Sequence, residues 1–190
     1  MTVAARTLTD QEQRERRSWF RARWERGVAF NRRCRIRVRR WDPEAVEIVL
    51  PYAESLSAHE DVFHGGVISA LIDTAGAGAV IAGHDFTKGS RLSTVSMSVQ
   101  YLAPARGREA VAYARCVRRG RRLHFADVDV MADGRICARG QVVVSISGER
   151  PGVGDPIEAA APMELATPVE PTAPMEPAAP IRPLTELTEE

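Results

Sequence analysis

Three kinds of hydrophobic pattern divide the chain. Between Thr9 and about Gly27, the aromatic residues Trp19, Phe20 and Trp24 stand among arginines and glutamates. Thr9 followed three residues later by Glu12 is capping-box spacing, and Gly27 offers a stop, so a basic helix is expected within residues 1–30. Its RERR and RARWER runs read as a solvated face on a helix pinned by its aromatics. CRIRVRR then sets Cys34, Ile36 and Val38 against Arg35, Arg37 and Arg39, and AVEIVL places Val46, Ile48 and Leu50 on one face. With Pro43 bending the WDPE between them, these read as two strands joined by a turn.

The second pattern is apolar all round. GGVISALIDTAGAGAVI, from Gly65 to about Ile81, carries a single ionisable group, Asp73. A helix without a polar face is buried on all sides. The small residues Ala75, Gly76, Ala77, Gly78 and Ala79 let a sheet or a second helix approach closely. That packing offsets the low helix propensity of glycine, roughly 1 kcal/mol each.

The third pattern is alternation. Val95, Met97, Val99 and Tyr101 face one way, and Thr94, Ser96, Ser98 and Gln100 the other; Pro104 and Gly107 end the strand. Val111, Tyr113, Arg115 and Val117 alternate with alanines and Cys116. RRGRR turns into Leu123–Met131, ADGR makes a hairpin turn at Asp133 and Gly134, and Ile136–Ile146 closes the set. Helix, two strands, buried helix and four long strands define an α+β class. The expected architecture is a curved antiparallel sheet wrapped around a central buried helix, spanning residues 31–148.

Charge and composition change beyond about Gly148. Nine of the 12 prolines lie there, among Ala, Glu and Thr, and APMELATPVEP and APMEPAAPIRP are imperfect copies. Such a segment buries too little apolar surface to offset ordering entropy, so residues 149–190 are expected to form a disordered acidic tail. They hold nine acids and two arginines, a net of −7, which leaves the rest of the chain at +8 within an overall +1. Lys88 is the sole lysine. A moderately basic body suits an anionic ligand. With no helix-turn-helix pair ahead of the domain, nucleic acid is not an expected partner.

Cys34, Cys116 and Cys137 show no CxxC pairing and fall in apparent strands, as small buried hydrophobes in a reducing compartment would. No run of 18 apolar residues exists and the N-terminus is polar, so a cytoplasmic protein without a membrane partner is expected. His84 in a loop and His124 on a strand lack metal-ligand partners at helical or hairpin spacing and read as surface residues. No metal or redox cofactor is implied.

The segment HGGVISALIDTAGAG carries the chemistry. Gly65 and Gly66 stand at a helix N-terminus, where unpaired amides and the helix dipole suit an oxyanion. His64 sits directly ahead. A buried carboxylate such as Asp73 needs a dedicated partner, or it does chemistry with a raised pKa. A carboxylate that only hydrogen-bonds backbone or serine is the alternative. Asp73 lies eight residues beyond Gly65, about 12 Å along the helix. One chain cannot bring both to one carbonyl, whereas two antiparallel copies related by a two-fold can.

HGGVISALIDTAGAG, TVSMSVQYLAPARG, RRGRRLHFADVDVMADGRICARG and FNRRCRIRVRRWDP together resemble the phenylacetyl-CoA thioesterase-like (PaaI-like) hotdog thioesterases over roughly residues 20–147. The resemblance implies a hotdog fold, a homodimer with a continuous sheet, often paired into a homotetramer, and hydrolysis of an acyl-CoA. It implies that Asp73 is the catalytic general base or nucleophile, the latter forming a mixed anhydride. The Gly65 amide would polarise the thioester carbonyl from the opposite subunit. His64 would orient the helix start, and the Thr94 hydroxyl would assist water. Gly66 would contact substrate, and the turn Arg118, Arg119, Gly120, Arg121 and Arg122 would meet the CoA phosphates through forked, charge-assisted bonds. Apart from the resemblance, His59 is a further candidate for substrate contact, and the small residues near Ala77 suggest room for the acyl group. An exposed arginine-rich hairpin turn is the other reading of that turn. CoA belongs to the substrate, so no separate cofactor is implied. One position departs from the pattern: Ala58 stands where the family carries Asn or Gln six residues before the motif histidine, with His59 and Ser57 beside it as replacements. A hotdog that binds acyl-CoA without turning it over is therefore the second expectation.

Overall fold

Helix α1 (Asp10–Arg26) begins at the expected capping box. The Glu12 amide donates to the Thr9 hydroxyl oxygen, and the Glu12 carboxylate accepts from the Thr9 amide at 2.8 Å. The coordinates are a computed structural model that describes residues 7–147. The acidic tail assigned to residues 149–190 lies outside the described residues. Buried Trp24 ties α1 to the rest of the fold by donating Nε1 to the Thr74 carbonyl at 3.0 Å, and Phe20 stacks on Phe86 with ring centroids 5.2 Å apart.

The expected strand from Cys34 starts later. Residues Ala29–Arg33 form a short helix, α2, and Cys34 caps its end instead of lying in a strand. The cause is Asn31, which is buried. It donates Nδ2 to the Trp24 carbonyl at 2.8 Å, and its own carbonyl accepts from the Ile36 amide at 2.8 Å. Closing that turn places Arg35 at φ 55°.

The strands are β1 (Arg37–Trp41), β2 (Val46–Pro51), β3 (Ser57–His59), β4 (Val62–Phe63), β5 (Arg91–Tyr101), β6 (Glu109–Arg119), β7 (Leu123–Ala132) and β8 (Arg135–Ser147). Six of them form one antiparallel sheet in the order β1-β2-β6-β7-β8-β5, and β3 pairs only with β4. The β7–β8 hairpin turns through Asp133 and Gly134, both at positive φ (48° and 70°), which is what an Asp-Gly pair supplies.

Helix α3 (Gly65–Ala82) lies across the concave face. Helix and sheet interlock through two glycines. A Cβ on Gly76 would stand 2.5 Å from Val142 Cγ2, and one on Gly140 would stand 2.5 Å from Ile72 Cγ2. Each element thus leaves a notch for the other's branched side chain. Leu71, Ile72, Val80 and Ile81 are fully buried there and contribute about 1.5–3 kcal/mol each. By length and composition α3 also qualifies as a membrane span, but most of it is packed in this core.

The last turn of α3 is closed by arginines from elsewhere. Arg119 donates to the carbonyls of Val80 (2.7 Å) and Ala79 (3.2 Å), and Arg17 donates to that of Ala82. Cations at this end satisfy orphan carbonyls and complement the helix dipole.

Strand β5 departs from simple alternation. It pairs with β8 as Thr94↔Val144, Ser96↔Val143 and Met97↔Val142, so Val95 is a bulge. The extra residue puts Thr94 on the same face as Met97, Val99 and Tyr101, not on the opposite one. β5 is also one of the two edge strands of the sheet, and Val95 (54 %) and Met97 (38 %) on it and Leu102 (55 %) just after it are exposed.

Candidate active site

The start of α3 is held by its own flank. His64 is the N-cap, and its Nδ1 accepts the Gly66 amide at 3.0 Å. The His64 carbonyl accepts from Val67 (2.9 Å) and Ile68 (3.2 Å). Gly66 therefore has no donor left for a ligand, whereas the Gly65 amide has no acceptor among the described residues. Tyr101, reaching over from β5, donates its hydroxyl to the Gly65 carbonyl at 2.8 Å and also hydrogen-bonds the Ser69 hydroxyl.

Beside Gly65 opens a cleft of about 390 Å³, walled mainly by Val62, Phe63, Ile68, Tyr101, Leu102, Pro104 and Cys137, with His59 at its polar edge. Ser57 is not available to it, because its hydroxyl donates to the Glu54 carbonyl at 2.7 Å. Ala58 is exposed at the irregular β3–β4 register.

Asp73 sits two turns further along α3. It is not enclosed as the all-apolar helix suggested. α3 has one open stripe, on which Gly66 is exposed and Ser69 and Asp73 are half-buried. Thr94 donates its hydroxyl to Asp73 Oδ1 at 2.7 Å, a bond the Val95 bulge makes possible. A single chain thus displays two half-sites on the same helix: an unpaired amide beside an apolar cleft, and a carboxylate with a hydroxyl partner.

The remaining candidates divide. Arg118, Gly120, Arg121 and Arg122 line an open cleft of about 340 Å³ with Leu123 and Phe125. Arg119 does not join them, since its guanidinium is committed to the α3 carbonyls. Ala77 is buried and lines neither this cleft nor the one beside Gly65. Of the small residues of α3, Gly76 faces Val142 of the sheet, and Gly78 faces Trp41 and Trp24.

His84 and His124 are buried, not on the surface, with ring centroids 5.7 Å apart. His84 Nε2 bonds the Gly89 carbonyl at 3.0 Å, and His124 Nδ1 is buried without a partner among the described residues. Burial pushes His84 down to about 4, against the opposing pull of the Gly89 bond, with repulsion from His124 adding to the fall. Burial lowers His124 as well, helped by Arg119 and then Lys88. Among the described residues no group of three His, Cys, Asp or Glu side chains is arranged to hold a metal. Sequence reasoning missed Tyr101 and Ser69 as site residues. Tyr101 is 56 % exposed, so no unmet need for a partner marked its hydroxyl in the sequence.

A long antiparallel sheet wrapped on one central helix is the hotdog fold. The profile of the family described as thioesterase superfamily matches residues 60–138, which hold Gly65, Asp73, Thr94 and Tyr101. Among solved structures, a Shewanella oneidensis protein related to the thioesterase superfamily superposes with a TM-score of 0.66 at 22 % identity, over 73 % of this chain and all of its own. A Silicibacter pomeroyi thioesterase family protein gives 0.62 at 23 %, over 71 % of this chain and 99 % of its own. At those identities both speak for the fold alone. In sequence, a Halobacterium salinarum protein provisionally named an esterase is 38 % identical over 43 % of this chain and 56 % of its own length. A medium/long-chain acyl-CoA thioesterase of Escherichia coli K12 is 27 % identical over 54 % of this chain and 75 % of its own. The chain thus spans just over half the length of the Halobacterium protein.

Proposed function

We propose that this protein is an acyl-CoA thioesterase of the phenylacetyl-CoA thioesterase-like type, acting as a dimer whose sites combine Asp73 of one protomer with the Gly65 amide of the other. The observation that carries the reading is the Thr94–Asp73 bond of 2.7 Å on the open stripe of an otherwise apolar helix. Hydrolysis needs a carboxylate near water and a donor at the carbonyl oxygen, and α3 carries both, about 12 Å apart along its axis. An antiparallel second copy removes that separation. The free, apolar edge of β5 supports such pairing.

In this reading Thr94 occupies Asp73 Oδ1 and leaves Oδ2 to take a proton from water, or to attack the carbonyl directly. The thioester oxygen gains negative charge against the Gly65 amide and the positive end of α3. Collapse of the tetrahedral intermediate breaks the C–S bond and expels the CoA thiolate, which takes up a proton; where Asp73 is the nucleophile, water then cleaves the acyl–Asp73 anhydride and releases the acid. The acyl group lies in the cleft beside Gly65, and Arg118, Arg121 and Arg122 face the CoA phosphates. The E. coli relative's name supports an acyl-CoA as the substrate class.

The test is thiol release from short, medium, long and aromatic acyl-CoAs, measured for the wild type beside Asp73→Asn. Turnover that falls by about a hundredfold or more in the variant supports the reading. Turnover that survives removes Asp73 from the mechanism. Ala58 favours a second reading, an acyl-CoA-binding protein without turnover. Saturable binding with no thiol released from any acyl-CoA would establish it.

A further inference from the structure

We infer that Tyr101 is a positioning residue that fixes the Gly65 amide for its oxyanion, an inference that rests on the thioesterase reading above. Two consecutive glycines, Gly65 and Gly66, open α3, where conformational freedom is largest and the first turn most prone to fray. An oxyanion donor gains its effect from being fixed in advance of reaction, so something must stiffen this turn.

The structure shows what does. The Gly65 carbonyl and the Gly66 amide belong to one peptide plane. Tyr101 donates to its oxygen at 2.8 Å, and His64 Nδ1 accepts from its N–H at 3.0 Å, so the plane is clamped at both ends. The preceding plane is anchored through the His64 carbonyl by the amides of Val67 and Ile68, at 2.9 and 3.2 Å. With these bonds made, the Gly65 N–H is left uncommitted on a turn that cannot swing.

Two further contacts make Tyr101 specific to this task. Its ring covers Gly65, since a Cβ there would meet the ring at 3.5 Å. Ser69, one turn along α3, hydrogen-bonds the phenol. The phenol has a single proton and spends it on Gly65, so Ser69 is the donor of that second bond. A Ser69–Tyr101–Gly65 chain thus runs alongside the first turn, and each link polarises the next.

Tyr101→Phe keeps the ring and deletes the hydroxyl. The expected result is kcat lower by about 5- to 20-fold with KM changed less than about twofold, together with faster hydrogen exchange at the Gly66 and Val67 amides by NMR. Ser69→Ala shifts the same two quantities in the same direction by less. A rise in KM with unchanged kcat would make Tyr101 merely a wall of the acyl cleft and overturn the inference, as would unchanged kcat and exchange. If the wild type releases no thiol, the thioesterase reading fails, and amide exchange alone decides. Unaltered exchange in Tyr101→Phe then overturns the clamp, and faster exchange sustains it.

Discussion

Thr94 reaches Asp73 because the chain bulges by one residue at Val95: without it, the hydroxyl that donates to Asp73 Oδ1 at 2.7 Å would point to the far side of the sheet. Thr94→Val keeps shape and removes the donor. The expected outcome is a loss of about tenfold in kcat with KM nearly unchanged, read in the thiol-release assay. Full activity in Thr94→Val would show that the hydroxyl has no part in activating water.

The arginines of the β6–β7 turn are predicted to separate into two groups. Arg121→Ala or Arg122→Ala should raise KM for acyl-CoA by about three- to tenfold and steepen with lower ionic strength, because exposed guanidinium–phosphate contacts are screened by salt. Arg119→Ala should leave KM alone and lower stability by about 1–2 kcal/mol in urea unfolding, because it strands carbonyls at the end of α3. An Arg119 variant of normal stability and raised KM would reverse this division.

The strongly periodic parts of the fold were legible from sequence: the central helix, the long strands and the hairpin at Asp133–Gly134. What escaped depends on single contacts. α2 exists because the Asn31 amide finds the Trp24 carbonyl, and no periodicity encodes that bond. The bulge at Val95 left the alternation of β5 intact on paper while reversing the side on which Thr94 lies. Arg119 looked like its neighbours in RRGRR, and only its place opposite the end of α3 sets it apart. His84 and His124 read as surface residues because burial of a loop depends on what covers it, here Phe86 under α1.

Those histidines make stability depend on pH. His84 falls from about 6.5 in the unfolded chain to about 4 in the fold, so the unfolded state binds the extra proton between those values. Stability is therefore full above pH 6.5 and is lost as pH falls towards 4. His124, lowered in the same direction, adds to the loss. Asp42 and Asp85 are lowered carboxylates whose contribution disappears only below their ordinary 3.8, outside this window. Urea midpoints between pH 7 and 4 should show a decline on the order of 2–3 kcal/mol, and His84→Leu should flatten much of it. An unchanged slope in that variant would assign the decline elsewhere.

The notch at Gly76 gives a packing prediction. Gly76→Ala should cost about 1–3 kcal/mol by forcing Val142 aside, despite alanine's better helix propensity. Adding Val142→Ala should recover part of that cost, giving a favourable coupling in a double-mutant cycle. Simple additivity would mean that helix and sheet do not interlock there.

The claim that the site is shared between protomers is tested most directly by complementation. Gly65→Pro removes the amide donor at a position where proline fits, since His64 already has the extended backbone (φ −62°, ψ 135°) that precedes a proline. Gly65→Pro and Asp73→Asn chains, each nearly inactive alone, should regain about a quarter of wild-type thiol release when co-expressed, because half the dimers then hold one intact site. Activity no greater than that of the separate variants, in a mixture shown to contain hybrid dimers, would contradict the account.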